Sequence, residues 1–137
     1  MWVPGAYASH PHLKGRNMLI ALWIVNALLA VAMLGAGAMK SLKSRDALVA
    51  GGRGWAEDFA PAVVKAIGLL EVLGAIGLIV PLATGIAPIL TPIAAVGLTI
   101  VMLGAVVVHA RRKESIIPAL PLALLAAASA VLGFLTV

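Results

Sequence analysis

Glu71 sits near the middle of Ala62–Leu82, AVVKAIGLLEVLGAIGLIVPL, an apolar run long enough to cross a bilayer. Insertion scales put a charge at that depth at roughly 2.5–3.5 kcal/mol, so a chain that carries one faces it inward, pairs it or uses it. As a functional group, Glu71 is a candidate acid/base or an anchor for the polar head of a ligand. As a structural group, it is a hydrogen-bonded carboxyl that locks its helix to Asn26 or Thr99, a contact worth about 0.6–2 kcal/mol. Lys65 lies on a different face, nearer the surface, and is expected to snorkel rather than pair with Glu71.

His109 is the second titratable group of interest, at the end of another apolar run. It is a candidate for proton handling or for contact with a ligand head. One histidine at a membrane edge is a poor metal site, so no metal ligands are assigned. His10 and His12 read as solvated residues of an N-terminal tail. Lys40, Arg111 and Arg112 fall at the basic ends of apolar runs, where they orient the chain and meet lipid headgroups. The alternatives for Lys40 are that it closes a cavity mouth or pairs with Asp58 or Glu57.

These groups need a scaffold, and composition says which kind. The 137 residues are 63% hydrophobic and 11% charged, with a mean hydropathy of +1.13. Soluble domains are nearer 45–50% apolar and about 25% charged. The excess apolar surface calls for lipid. The absence of cysteine excludes disulfides, thiolate metal sites and a thiol relay within the chain. The net charge of +5 is concentrated between the apolar runs, so it reads as a topology signal rather than a nucleic-acid surface. No Walker loop, dinucleotide fingerprint, H-E-x-x-H or nucleophile elbow is present.

Four spans are expected, over residues 18–39, 62–82, 88–109 and 116–137, after a polar tail at residues 1–17 in which Trp2 and Tyr7 are interface anchors. Residues 18–137 then form one all-α domain, a transmembrane four-helix bundle with a short interfacial segment between the first two spans. The uncharged turn at 83–87 makes the second and third spans antiparallel neighbours. Lys14 and Arg16 lie on one side. Lys40, Lys43, Arg45, Arg53, Arg111, Arg112 and Lys113 lie on the other, which places both termini outside an inner membrane and the loops 40–61 and 110–115 in the cytoplasm. In the last span, Ala123 with Ala127 and Ala126 with Ala130 form small-residue faces that suit close packing within the bundle or against a second copy.

Counting rise along these spans puts Asn26, Glu71, Thr99 and Ser129 at a similar depth, a polar layer inside an apolar bundle. Two stripes run from it to the basic end: Asn26, Met33, Gly37 and Lys40 on one helix, and Thr99, Met102, Val106 and His109 on another. A ligand entering between them would meet Asn26, Glu71, Thr99, Met102 and Ser129. The same residues also fit a closed seam.

The segments GAGAMKSL, IGLLEVLGAIGLIVP and LTPIAAVGLTIVMLGAVVVHARRKE carry a further signal. They resemble the DoxX-like family of small four-helix membrane proteins, from about Asn17 onward. That resemblance implies an integral membrane protein associated with a quinone-linked redox system, with a lipophilic small molecule, quinone among them, held in the bundle and a membrane redox protein as partner. Two other functions fit the residues: a structural or scaffolding membrane subunit with no chemistry, and a small membrane enzyme acting on a lipid-soluble substrate with Glu71 as acid/base. The lack of cysteine argues against sulfur redox chemistry by this chain alone.

Overall fold

The computed structural model describes residues 11–137. Trp2, Tyr7 and His10 of the expected tail lie outside the described residues, as does the side chain of His12. The described chain is all-α. Its elements are α1 (Pro11–Leu42), α2 (Arg45–Ala50), a 3-10 stretch (Gly54–Asp58), α3 (Pro61–Thr84), α4 (Leu90–Arg111) and α5 (Leu120–Thr136). No strand occurs among the described residues. Three helices are long and apolar enough to cross a membrane: α1 from Leu13, α3 and α4. The fourth apolar helix, α5, has 17 residues.

Helix ends differ most from the sequence expectation at two places, each for a local reason. α1 starts at Pro11 rather than at Met18. Polar residues such as Lys14 and Arg16 are good helix formers, so the end of the apolar run does not end the helix. At 1.5 Å per residue its 32 residues extend about 48 Å, well past an apolar core of about 30 Å. α5 starts at Leu120 rather than at residue 116. Pro118 biases Ile117 away from the helical region, and Pro121 is tolerated only because it falls in the first turn.

α3 begins with Pro61 at its first position, where a missing N–H costs little, and ends on Gly85 in the left-handed conformation (φ 70°), whose N–H returns to the Pro81 carbonyl. Pro81 is a second feature of that end. It has no N–H to give to the carbonyl of Gly77, four residues back. The Thr91 hydroxyl of α4 donates to that carbonyl at 3.0 Å instead, and Thr91 is fully buried. The next carbonyl, of Leu78, accepts from Asn26 Nδ2 of α1 at 2.9 Å. A proline inside an apolar helix is tolerable where a neighbouring helix satisfies the freed carbonyl, and α4 does so here through Thr91.

The four apolar helices pack in a ring, α1 on α3, α3 on α4, α4 on α5, and α5 back on α1. Their core is Leu29, Ala30, Met33, Ala75, Leu78, Ala95, Leu98, Met102, Ala123, Ala126 and Ala130. The small-residue face of α5 is turned into this core. Large apolar side chains such as Leu28, Val31, Leu73, Ile100, Leu124 and Val131 are exposed outward, while Asn26, Glu71, Thr91 and Ser129 are buried. Apolar outside and polar inside is the distribution expected when the surroundings are lipid.

α2 and the 3-10 stretch cover the basic end of the ring. Ser44 caps α2 by accepting from the Ala47 N–H at 3.1 Å. Gly52 (φ 95°) turns the chain back. Leu48, Ala56 and Val64 then form a small second core, with Met39, Val49, Trp55 and Phe59 packed on it.

Candidate functional site

The site begins at a helix crossing. α1 and α3 are antiparallel, since Gly37 meets Gly68 while Asn26, earlier in α1, meets Leu78, later in α3. A Cβ on Gly37 would lie 2.6 Å from the Gly68 carbonyl oxygen, and one on Gly68 would lie 2.7 Å from the Gly37 carbonyl oxygen and 2.7 Å from Lys40 Cβ. Only two glycines allow this approach. Side chains on a helix lean toward its N-terminus, so across an antiparallel pair two residues placed one turn beyond the crossing lean toward each other. Lys40 and Glu71 hold those positions. Lys40 Nζ donates to Glu71 Oε1 at 2.6 Å. Glu71 is fully buried, and the Lys40 side chain is 15% exposed.

The pair is polarised toward one side. Glu71 Oε2 is buried and has no hydrogen-bond partner among the described residues. Lys40 Nζ also lies 5.4 Å from the centre of the Trp55 ring, within cation–π range. Trp55 meets Phe59 edge-on, with ring centres 6.0 Å apart. A cavity of about 280 Å³ is lined by Glu71, Lys40, Trp55, Phe59 and His109 together with the apolar residues Ile67, Val101, Gly104, Ala105 and Val108. An apolar chamber with a few convergent polar groups is the usual form of a small-molecule site.

The aromatic cover is fastened by charge. Arg112 Nη1 donates to Asp58 Oδ2 at 2.8 Å, Arg112 Nε donates to Glu114 Oε1 at 2.7 Å, and Arg45 Nη1 donates to the Phe59 carbonyl at 3.2 Å. His109 Nδ1 pairs with Glu114 Oε2 at 2.9 Å. Arg112 and His109 together hold the Glu114 carboxyl below its ordinary pKa, and the Glu114 and Asp58 carboxylates raise that of Arg112. The 3-10 stretch is thereby tied to the far end of α4.

The expected polar residues divide into separate places. Asn26 and Ser129 meet each other, the Ser129 hydroxyl donating to Asn26 Oδ1 at 2.5 Å. They pair at the level of Leu78, seven residues and so roughly 10 Å along α3 from Glu71. The single layer of Asn26, Glu71, Thr99 and Ser129 is therefore not formed. Depth counted from span ends requires the ends to share a plane, and α1 overruns the end of α3. Thr99 donates to its own helix at the Ala95 carbonyl (2.7 Å), as lone membrane threonines commonly do. Met102 is buried, lining a second cavity with Met33, Lys40 and His109. Arg111 is exposed at the end of α4, whereas Arg112 is half-buried in the clamp. Lys40 does not reach Asp58 or Glu57. Its partner is Glu71, and Asp58 is taken by Arg112. Among the described residues no three His, Asp or Glu side chains come together as metal ligands.

Three participants carry no strong signal in the sequence. Trp55 and Glu114 sit in connections, and Thr91 resembles an ordinary helix-start residue. The Lys40–Glu71 pair does have a signal: G-x-x-K in α1 and G-x-x-E in α3 place each charge one turn after a glycine.

The model of the DoxX-like family matches residues 24–131, which is well over half the chain. The chain belongs to the DoxX-like family. The DoxX-like match runs from early α1 nearly to the end of α5, so it covers Lys40, Glu71, the aromatic cover and His109. With three helices long and apolar enough to span a bilayer, this DoxX-like chain is a membrane protein. No curated protein and no solved structure matches it.

Proposed function

We propose that the chain is a four-helix transmembrane bundle of the inner membrane, with both termini outside, that holds a lipid-soluble small molecule in the cavity beside Lys40 and Glu71. One observation carries this reading: a fully buried carboxylate with one oxygen paired to Lys40 and the other unpartnered, in the wall of an apolar cavity of about 280 Å³. A buried polar atom without a partner costs on the order of 1–3 kcal/mol. A ligand that brings a hydrogen-bond donor to Oε2 recovers that cost, and the apolar walls and the Trp55 ring take its body.

The DoxX-like membership supports a quinone-linked setting, with a membrane redox protein as partner. The residues fit such a ligand. Trp55 and Phe59 offer aromatic faces, Lys40 offers donors, and Glu71 Oε2 offers an acceptor for a ring hydroxyl. A quinone supplies two-electron, two-proton chemistry when bound. The chain's own part is to hold the head group, exclude water behind Trp55 and Phe59, and present Glu71 and His109 as proton-handling groups. If the chain is itself an enzyme, Glu71 is its acid/base.

The scaffolding reading has support of its own in the other half of the bundle. Asn26 with Ser129, and Thr91 with Gly77, are buried polar contacts that satisfy one another and touch neither cavity. They act as locks whichever function is correct.

The test is titration of the protein in nanodiscs with a short-chain quinol, read by native mass spectrometry. Saturable binding that is lost in Glu71→Leu and in Trp55→Ala is expected. A folded protein that takes up no quinol, and from which no other small lipophile is extracted, leaves scaffolding as the function.

A further inference from the structure

The second cavity, of about 430 Å³, lies at the basic end of the ring. Its charged and titratable lining consists of Lys40, Arg53, His109 and Glu114, and it shares Lys40, Trp55, Ala105 and His109 with the first cavity. The two chambers are therefore neighbours with different linings.

The carboxylate in the lining is already committed, since both oxygens of Glu114 are taken, Oε1 by Arg112 and Oε2 by His109. Asp58 has Arg112. Arg53 is different. It is half-buried, and its guanidinium makes no hydrogen bond or ion pair among the described residues. Its backbone is held, with the N–H donating to the Leu48 carbonyl at 2.9 Å and its carbonyl accepting from Ala56 at 3.1 Å. Gly52 at φ 95° delivers it to the chamber. His109 Nδ1–H donates to Glu114, and in the imidazolium form the Nε2–H is left to donate to an anion. A guanidinium that is partly desolvated and lacks a carboxylate recognises an anion, because its planar fork matches two oxygens at once. The remaining wall, with Met33, Ala36, Met102 and Leu122, is apolar and suits an alkyl stem.

We infer that this second cavity binds the anionic head of an amphiphile, a carboxylate or phosphate group on an apolar stem, with Arg53 as the principal contact and His109 Nε2 as the second. The site adjoins the one beside Glu71, but its principal contact, Arg53, lines this cavity alone, and Glu71 lines only the other. A bilayer lipid and a soluble organic anion share this chemistry.

The test uses laurate as the probe, with dodecanol as its uncharged counterpart, titrated into the full chain in phosphatidylcholine nanodiscs. Laurate binds saturably, and dodecanol binds roughly ten- to a hundredfold more weakly, the range expected for losing a charged hydrogen bond. Arg53→Gln reduces laurate to the dodecanol level, and Arg53→Lys retains an intermediate affinity. Glu71→Leu leaves laurate binding intact or tightens it, since Lys40 loses its carboxylate, while removing quinol binding at the first cavity. The two sites can therefore fail separately. Weakening of laurate by phosphatidylglycerol in the nanodisc assigns the site to a membrane lipid, and weakening by inorganic phosphate assigns it to a soluble anion. Equal laurate affinity in wild type and Arg53→Gln, or equal affinity for laurate and dodecanol, overturns the inference.

Discussion

Lys40 and Glu71 lie 2.6 Å apart across 31 residues of sequence because Gly37 and Gly68 let two antiparallel helices touch one turn before each of them. The charge pair and the glycine crossing form one device. Its energetics follow from burial. Breaking a buried pair by removing one partner costs about 3–5 kcal/mol, whereas replacing both with apolar residues is near neutral or stabilising by about 1–4 kcal/mol. Glu71→Leu and Lys40→Met should each lower the unfolding midpoint in detergent, and the double variant should recover it. A double variant as unstable as the singles removes the pair as the source of the loss.

The crossing itself can be tested by adding one methyl group. Gly37→Ala or Gly68→Ala places a Cβ within 2.6–2.7 Å of a backbone oxygen, so the helices must part, at about 1–3 kcal/mol. Gly35→Ala, with nothing within 4 Å of the added carbon, should instead stabilise by about 0.5–1 kcal/mol through reduced backbone freedom. Thermal unfolding of the three variants in one detergent separates the cases. Equal behaviour at positions 35 and 37 contradicts the crossing.

Thr91 satisfies the Gly77 carbonyl that Pro81 leaves free. Thr91→Val should therefore cost about 1–2 kcal/mol in the normal chain. In a Pro81→Ala background the restored N–H returns to Gly77, and Thr91→Val should become nearly free. A double-mutant cycle on chemical unfolding measures this. Additive effects of the two changes would mean that the hydroxyl does not serve that carbonyl.

The clamp over the first cavity should respond to acid. Arg112 and His109 depress the Glu114 carboxyl below its ordinary 4.5. A depressed carboxyl contributes stability that is fully present above the ordinary value and is lost as pH falls through the lowered one. Amide exchange over residues 54–59 should therefore stay slow down to that range and accelerate below it. In Glu114→Gln it should already be faster at neutral pH, and the acid step should shrink. An unchanged acid step in Glu114→Gln assigns the response to another carboxylate.

Orientation is read by single cysteines in the cysteine-free chain. Ser9→Cys should react with an impermeant reagent added outside intact cells, and Ser115→Cys should react only after lysis. The opposite pattern reverses the topology.

Much of the fold was legible along the chain, because a bilayer imposes a length and an apolar composition on each crossing segment. Pro61 at a helix start and the short α3–α4 connection could be read locally. Glu71 could be recognised as exceptional because no other acidic residue lies within an apolar run. The fourth helix begins four residues later than its apolar run suggests, since apolar composition alone does not register the geometric veto of Pro118 and Pro121.

The partners of the polar groups were not legible, and the reason is register. Depth counted from span ends assumes that helices end in one plane. In this chain the relative slide of α1 and α3 is set by two glycines meeting, a contact defined only when both helices are present. That slide sends Asn26 to Leu78 and Ser129, and Lys40 to Glu71. The sequence by itself determined a membrane protein of the DoxX-like family with one costly buried carboxylate. Only the tertiary structure decided what that carboxylate pairs with, which of its oxygens is left over, and which cavity it borders, because these are properties of side chains meeting across helices.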